Sequence, residues 1–408
     1  MRLTYLLSAL VATAGTGAAA LDEVFSGNSF VERDGAAAAS SIYVPASTLE
    51  TDILAAKALL NLAIYRATNP TQGSCNLLNT AVRREWSTLS KTERRAYINA
   101  ELCLMSKPSE DPSFAPGART RYDDFVAVHI NQTLFIHGTA NFLSWHRYFT
   151  WSFEQALRNE CGYTGYQPYW NWGKYAFDPL NSPLFDGSDY SMSGNGASVP
   201  HGCTEALPTD LNCIPPGSGG GCVYSGPFAN LTVNLGPVSP TLDVPGVINY
   251  TSSNPLAYNP RCLRRDISSW VSSNWTKDSD SYDLITNYQD IISFQTRMQG
   301  DFASGFYGVH TGGHFTIGGD PGGDLFASPG DPAFFLHHAQ IDRTWWIWQN
   351  LDLKNRQYAF GGPTSLLDPA NSPNGTLDDP IIMGSLGPTV KNRDVMSSTA
   401  GPLCYIYI

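Results

Sequence analysis

The chain has few charged residues and still fewer positive ones, and both shortages narrow what the protein can be. Only 15% of its 408 residues are charged, whereas 42% are hydrophobic, a balance that is typical of a packed globule and excludes a mostly disordered chain. Lysine and arginine total 25 against 36 aspartates and glutamates, which gives a net charge of −11. Phosphate backbones and anionic lipids would repel such a chain, so we expect neither a nucleic-acid nor a membrane partner.

Long apolar runs are also missing. The N-terminal run from Leu3 to Thr13 is shorter than the roughly 20 residues that a membrane-spanning helix needs. Arg2 precedes this run and Ala18–Ala20 follow it, which is the pattern of an export signal. We therefore expect residues 1–20 to be a cleaved signal peptide and the mature protein to be secreted.

Two further features agree with export. The cysteines form no CxxC pairs, which argues against zinc clusters, and their even number, eight, favours disulfides whose pairing the sequence leaves open. Asparagines in the Asn-x-Thr pattern are candidates for glycosylation, and they stand at positions Asn131, Asn230, Asn249, Asn274 and Asn374.

Apolar residues at three- and four-residue spacing predict a mainly α-helical fold. The predicted helices are Leu49–Ala67, Arg94–Met105, Asn141–Asn159 and Pro332–Leu351, with a further helical segment over Asp280–Met298. In the first of these, Leu60 and Ile64 belong to the predicted buried face. A Ser90–Glu93 capping box precedes the second. Between about 177 and 260 the chain is rich in glycine, proline, serine and asparagine, which predicts long loops pinned by disulfides.

Histidine is scarce, yet seven of the eight histidines fall in two short windows. The first window holds His129, His137 and His146, and the second holds His310, His314, His337 and His338. His310 and His314 are four residues apart and share a face of a helix. His337 and His338 point about 100° apart on a helix, so only one of them can bind the same ion. We choose His338, with Asp342 one turn later to fix its tautomer and His337 buried beside the site.

The pattern implies two metal ions, each held by three neutral nitrogens. Imidazole-only sets suit copper or zinc, and the His310–His314 spacing lacks the glutamate that a zinc protease needs as its base. We therefore prefer copper.

Four strings resemble the tyrosinase, catechol oxidase and molluscan haemocyanin family. They are HGT at 137–139 with WHRYF at 145–149, DPAFFLHHAQIDRTWW at 331–346, and the closing YIY at 405–407. The resemblance implies a four-helix bundle around a type 3 dicopper centre, with His129, His137 and His146 on one copper and His310, His314 and His338 on the other. It also implies O2 and small phenols as reactants.

The family likeness extends over most of the mature chain. We therefore expect a flexible lead-in at 21–46 and a single tyrosinase-type copper domain at 47–408, without the C-terminal shielding domain of many relatives. Oligomeric state is left open.

Three positions distinguish the expected reaction from that of related enzymes. Where members that hydroxylate monophenols well have a glutamate and an asparagine, this chain has Gln299 and Thr311, although Asp301 lies close in sequence. Leu325 stands where plant catechol oxidases often have phenylalanine over the second copper. The resemblance thus implies a catechol oxidase that converts o-diphenols to o-quinones and hydroxylates monophenols slowly. The alternatives are a full tyrosinase, an oxygen carrier like haemocyanin and, further off, a zinc hydrolase.

Overall fold

The computed structural model describes residues 43–69, 75–76, 78–205, 213–242, 244, 253–367 and 369–408. The signal peptide, most of the lead-in and the sequon at Asn249 lie outside these residues. The chain divides into two compact units, of which the larger comprises Pro45–Asn76 and Thr80–Ile408. The smaller comprises Met1–Val44 and Leu77–Asn79, and the structure describes only four of its residues.

The fold of the larger unit is mainly α-helical, as the sequence predicts. Its helices are α1 Leu49–Thr68, α2 Lys91–Ser106, α3 Arg121–Ile136, α4 Phe142–Cys161, α5 Ser269–Trp275, α6 Asp278–Asn287, α7 Ile291–Gln299, α8 Gly308–Ile317, α9 Phe334–Leu351 and α10 Leu353–Arg356.

Short strands pair two by two between and after the helices. They are β1 Ala81–Arg83, β2 Gly196–Ser198, β3 Gly220–Val223, β4 Thr232–Val233, β5 Arg261–Cys262, β6 Pro380–Ile381, β7 Val390–Lys391 and β8 Tyr405–Tyr407. The pairs β2–β3, β4–β5 and β6–β7 are antiparallel, whereas β1 and β8 are parallel with Ala81 opposite Tyr405. The last pair brings the C-terminal strand next to a strand from the front of the chain.

Capping boxes begin two of the helices. Before α2, Ser90 accepts a hydrogen bond from the Glu93 backbone N–H at 3.2 Å and donates its own N–H to the Glu93 carboxylate at 2.7 Å, which confirms the predicted box. Thr120 and Asp123 form the same reciprocal pair before α3. The helices predicted from the sequence do not include the segment around His129, although this Thr-x-x-Asp pattern marks the start of a helix.

The single helical segment predicted over 280–298 is wrong, because the structure has two helices there. The chain leaves the helical conformation at Tyr288, and Asp290 caps the start of α7 by accepting the backbone N–H of Ser293 at 2.9 Å. A short acidic side chain stabilises a helix as its N-cap and is unfavourable in the middle of a helix, which explains why one helix ends before Asp290 and another begins after it.

The predicted buried face of α1 is also partly wrong. Leu60 and Ile64 are 47% and 57% exposed, whereas Ala55, Ala58 and Leu62 are buried. The helix packs against α9, and small side chains on its inner face allow the two backbones to approach closely.

An aromatic core lies behind the helices that carry the histidines. The rings of Phe153 on α4 and Phe335 on α9 stack with their centroids 3.5 Å apart, and Phe125 on α3 meets Phe153 edge-on at 5.2 Å. Because these rings are fully buried, α3, α4 and α9 have fixed positions relative to one another.

Four disulfides pair all eight cysteines, as predicted. Cys203–Cys213 and Cys222–Cys262 join parts of the loop-rich segment, and Cys103–Cys161 connects α2 to the end of α4. Cys75–Cys404 connects the segment before β1 to the residue before β8. Among the described residues, none of the helices combines the length and apolar character that crossing a bilayer requires.

Candidate metal centre

Four helices bring the seven histidines into two buried clusters. His129 lies in α3, His137 directly follows its last residue, and His146 lies in the second turn of α4. The second cluster comes from α8 and α9. One ring nitrogen from each member lies within 4.8 Å of those of the others, in a set formed by His129, His137 and His146 and a set formed by His310, His314, His337 and His338.

The imidazoles of the first cluster each have their tautomer fixed by a backbone carbonyl. In all three rings Nδ1 lies within hydrogen-bond distance of a carbonyl oxygen, which can only accept, so Nδ1 carries the proton. The acceptors are Phe326 for His129 at 2.7 Å, Thr133 for His137 at 3.0 Å and Phe142 for His146 at 2.7 Å. In a neutral ring the remaining lone pair is then on Nε2, the geometry of a preformed nitrogen ligand.

In the second cluster, the ring nitrogens of two histidines approach each other directly. The Nε2 atoms of His314 and His338 are 3.2 Å apart, so the two rings are aimed at one point. The His310 ring centroid lies 4.7 Å from that of His314 and 5.3 Å from that of His338. His337 is completely buried, and its Nδ1 accepts a hydrogen bond from the indole N–H of Trp172 at 3.1 Å.

The two clusters face each other across a short gap. The rings of His146 and His338 stack with centroids 4.5 Å apart, and His137 lies 5.9 Å from His310. The two sets of donor nitrogens therefore belong to one site and not to two separate ones.

Burial keeps these rings uncharged. It lowers the pKa of every histidine in the two clusters, to about 4 for His137 and about 3 for His337. Neutral imidazoles are the form that binds a metal ion.

The donor atoms fit copper. Six ring nitrogens of the two clusters are buried and have no hydrogen-bond partner within the described parts of the chain: Nε2 of His129, His146 and His337, both nitrogens of His310 and Nδ1 of His338. Leaving a buried polar atom unpaired costs about 1–3 kcal/mol, so this group of unpaired nitrogens indicates a missing ligand. An all-nitrogen set suits copper or zinc and is unsuited to calcium or magnesium.

The predicted contact between Asp342 and His338 is wrong. The Asp342 carboxylate accepts hydrogen bonds from Arg147 Nε at 2.6 Å and from the hydroxyls of Tyr405 and Tyr407 at 2.5 and 2.6 Å. Burial by itself would raise the pKa of Asp342, but Arg147 and Arg83 outweigh it and lower that pKa. One turn of helix brings Asp342 close to His338 in sequence, and the stronger charged partners on α4 and β1 then turn its carboxylate away.

A cavity of about 280 Å³ opens onto the histidines. Gln299, Thr311 and Leu325, the three positions singled out from the sequence, all line it, together with Phe302 and Leu366. Its size is near the lower end for small-molecule sites, so it suits a ligand of about one aromatic ring.

The polar groups of Gln299 and Thr311 are already engaged. The Gln299 amide oxygen accepts the backbone N–H of Gly138 at 2.8 Å, and its NH2 group donates to the carbonyl of Gln295 at 3.1 Å. The Thr311 hydroxyl donates to the Gln299 carbonyl at 2.7 Å. Gln299 therefore connects the loop that follows His137 with the helix that carries His310.

One carboxylate residue, Asp324, lines the cavity, and Asp301 lies between the lining residues Gly300 and Phe302 in sequence. Asp324 is buried and accepts four backbone N–H groups, from Val238, Ser239, Phe326 and Ala327. Asp301 is exposed and does not line the cavity.

The described sequons lie at the surface. The side chains of Asn131 on α3, Asn230, Asn274 on α5 and Asn374 are exposed, so each is accessible to a glycan, and glycosylation at these positions stays a prediction.

Trp172 and Arg147 are residues of the site that the sequence analysis missed. Trp172 lies in a short 3₁₀ turn, Trp172–Tyr175, far in sequence from His337. No local pattern connects the two residues. Arg147 directly follows His146, and a basic residue inside an otherwise apolar helical segment is a signal for a buried ion pair.

Comparison with known proteins agrees with this geometry. The family model described as the common central domain of tyrosinase matches residues 119–351. Tyrosinase-like protein orsC of Emericella nidulans is 44% identical over 318 residues, 74% of this chain and 83% of that protein. Tyrosinase P of Aspergillus terreus is 40% identical over 336 residues, 80% of this chain and 91% of that protein.

Among solved structures, a point mutant of a polyphenol oxidase from Thermothelomyces thermophila superposes with a TM-score of 0.82 at 44% identity. The match covers 88% of this chain and 98% of that one.

Proposed function

Because the chain belongs to the tyrosinase family of type 3 copper oxidases, we propose that it binds two copper ions and oxidises o-diphenols to o-quinones at the expense of O2. The observation that carries the proposal is the pair of buried three-nitrogen sets that face each other at the floor of one cavity. His129, His137 and His146 would hold one ion, and His310, His314 and His338 the other. When bound, the copper pair carries electrons between phenol and O2, such that two diphenols are oxidised for each O2 reduced to two waters.

The protein positions the reactants and keeps the site dry. Fixed tautomers in the first cluster leave three lone pairs directed inward before any ion arrives, so little reorganisation accompanies binding. The apolar side chains of Phe302, Leu325 and Leu366 favour an uncharged aromatic ring over water.

The side chains of Gln299 and Thr311 are already hydrogen-bonded and supply no base, which favours diphenols over monophenols as substrates. Hydroxylation of a monophenol requires removal of its proton close to the metal. An amide has no basic oxygen for this step, and both of its polar atoms are already hydrogen-bonded. A diphenol already carries both oxygens of the quinone product and needs no hydroxylation, so the lack of a base affects it less.

Oxygen uptake by the copper-loaded protein tests the proposal. With 4-methylcatechol we expect sustained turnover at two diphenols per O2, and with p-cresol a rate at least tenfold lower. Equal or faster oxidation of p-cresol would identify a full tyrosinase. Stoichiometric, reversible O2 binding without turnover would identify a carrier, and purified protein that holds zinc at full occupancy and takes up no O2 would favour a hydrolytic or other zinc function.

We also propose that the protein acts outside the cell. The N-terminal pattern and the four disulfides support an oxidising compartment. Protein recovered from culture medium should begin at about Leu21 and lose mass on treatment with a glycosidase, whereas recovery only from cell extract with Met1 retained would contradict the proposal.

A further inference from the structure

The second cluster offers one more imidazole than the first. Ring nitrogens of His310, His314, His337 and His338 all lie within 4.8 Å of one another, and the His337 ring centroid is 4.5 Å from that of His314. Four imidazoles around one ion make a closed tetrahedral site, the form that structural zinc ions adopt, whereas a catalytic ion keeps one position open for its ligand. Something in the structure must therefore keep His337 from binding.

Trp172 occupies the lone pair that His337 would need. Its indole N–H is a donor only, so His337 Nδ1 at 3.1 Å must be the acceptor and cannot carry a proton. The single proton of the neutral ring then lies on Nε2. One nitrogen is hydrogen-bonded and the other is protonated, so neither ring nitrogen of His337 has a lone pair left for a metal.

Burial makes this arrangement rigid. Trp172 is 1% exposed and His337 is completely buried. Gly313 on α8 leaves the space that the His337 ring fills, because a β-carbon at this position would collide with Cε1 and Nδ1 of the ring. The imidazole can therefore neither rotate toward solvent nor exchange its hydrogen-bond partner for water.

We propose that the Trp172 indole sets the coordination number of the second metal site, by holding His337 in a tautomer that cannot ligate and so keeping one position on that ion open. Trp172 is a positioning residue in this role, since it acts only through His337. The inference rests on the proposed function insofar as the second cluster must hold an ion.

Trp170 provides a matched control. It is also a buried tryptophan beside His337, with ring centroids 6.3 Å apart, but its indole N–H does not bond to His337 and has no partner among the residues that the structure describes. Replacing it removes similar aromatic packing and leaves the hydrogen bond of Trp172 intact.

Zinc binding to the metal-free protein tests the proposal without reference to oxidase activity. We would titrate wild type, Trp172→Phe, Trp170→Phe and the double variant Trp172→Phe/His337→Gln with Zn²⁺ against a competing chelator.

In Trp172→Phe, one zinc equivalent should bind about tenfold tighter or more, since a fourth imidazole becomes available. Trp170→Phe should bind as wild type does, and the double variant should lose the gain. Co²⁺ used in place of Zn²⁺ should show stronger visible absorption in Trp172→Phe alone, the sign of tetrahedral coordination.

Unchanged zinc affinity in a folded Trp172→Phe would overturn the inference and leave the proposed function untouched. If that variant does not fold, His337→Gln decides the matter, because the glutamine oxygen still accepts the Trp172 N–H. We expect its zinc affinity to stay within about twofold of wild type, and a loss of tenfold or more would show that His337 is already a ligand. Wild-type protein that binds neither ion would overturn the inference and the proposed function together.

Discussion

At the scale of single residues, backbone carbonyls and one indole decide which imidazole nitrogens are free. In the first cluster each Nδ1 donates to a carbonyl, so Nε2 is left as a ligand. At His337 the indole N–H of Trp172 donates to Nδ1, so Nε2 carries the proton and is not left as a ligand. Neutral histidines in similar surroundings therefore differ in their capacity to bind a metal, and the difference comes from one hydrogen-bond partner each.

Gln299 is the residue at which the ratio of the two phenolic activities should change. Gln299→Glu keeps an oxygen that accepts the Gly138 N–H and adds a basic carboxylate at the cavity. We expect the kcat/KM for p-cresol relative to 4-methylcatechol to rise about tenfold or more, since a positioned base contributes about 10²–10⁴-fold when its geometry is ideal. Steady-state kinetics on both substrates measure this ratio.

Gln299→Leu is the control for that experiment. It removes both side-chain hydrogen bonds and supplies no base, so we expect no gain on p-cresol and a loss of stability of about 1–3 kcal/mol for the two lost hydrogen bonds. A Gln299→Glu enzyme whose substrate ratio matches wild type would refute the role given to this position.

Asp342 should contribute strongly to stability at neutral pH. Asp342→Asn leaves the buried guanidiniums of Arg147 and Arg83 without their counter-charge, so we expect the free energy of unfolding to fall by about 3–5 kcal/mol at pH 7. The pKa of Asp342 is lowered in the folded protein, so its contribution is present above the ordinary aspartate range and is lost as the pH falls through the lowered pKa.

Urea unfolding of both proteins at pH 7 and at pH 3 checks this prediction. The gap in stability between wild type and Asp342→Asn should be smaller at pH 3. A gap that stays constant over this range would mean that the aspartate acts through packing and not through its charge.

At the scale of elements, α8 forms against its own helix propensity. Two adjacent glycines, Gly312 and Gly313, lie between its histidines, and each costs about 1 kcal/mol relative to alanine in a helix. Packing explains their presence, since a β-carbon at Gly312 would press on Trp275 and one at Gly313 would collide with His337. The helix is stabilised by its contacts with α5, α7 and α9.

Gly313→Ala should therefore destabilise the protein although alanine is the better helix former. We expect a net loss of about 1–3 kcal/mol, because overpacking a rigid core outweighs the gain in propensity. Chemical denaturation measures the change, with Gly361→Ala as the control, where an added β-carbon would meet its nearest neighbours on Ile292 at 3.6 Å and should change little. A more stable Gly313→Ala would contradict the close approach of His337.

At the scale of the whole molecule, the site depends on parts of the chain that are far apart in sequence. The first cluster ends at His146 and the second begins at His310, and the strand that supports Asp342 follows Cys404. Closing such long loops costs entropy, and Cys75–Cys404, with a sequence separation of 329, reduces that cost by restricting the unfolded chain.

Removing this disulfide should lower the melting temperature more than removing a short-range one. The chain-entropy relation gives a roughly twofold larger stabilisation for Cys75–Cys404 than for Cys203–Cys213, whose separation is 10. Calorimetry on Cys75→Ser/Cys404→Ser and Cys203→Ser/Cys213→Ser tests this ranking. The reverse order would indicate that the β1–β8 pair holds the C-terminal strand without the covalent link.

The sequence by itself determined the helical class, the positions of helices α1, α2, α4 and α9 and the two histidine windows, because apolar periodicity, capping residues and rare metal-binding side chains are local signals. It also favoured disulfides, although their pairing needed the folded chain. Only the tertiary structure decided that Asp342 pairs with Arg147 and not with His338, that Gln299 connects the two halves of the site, and that Trp172 sets the tautomer of His337. Each of these contacts joins residues that are distant in sequence or competes with a closer partner, so no pattern along the chain could predict it.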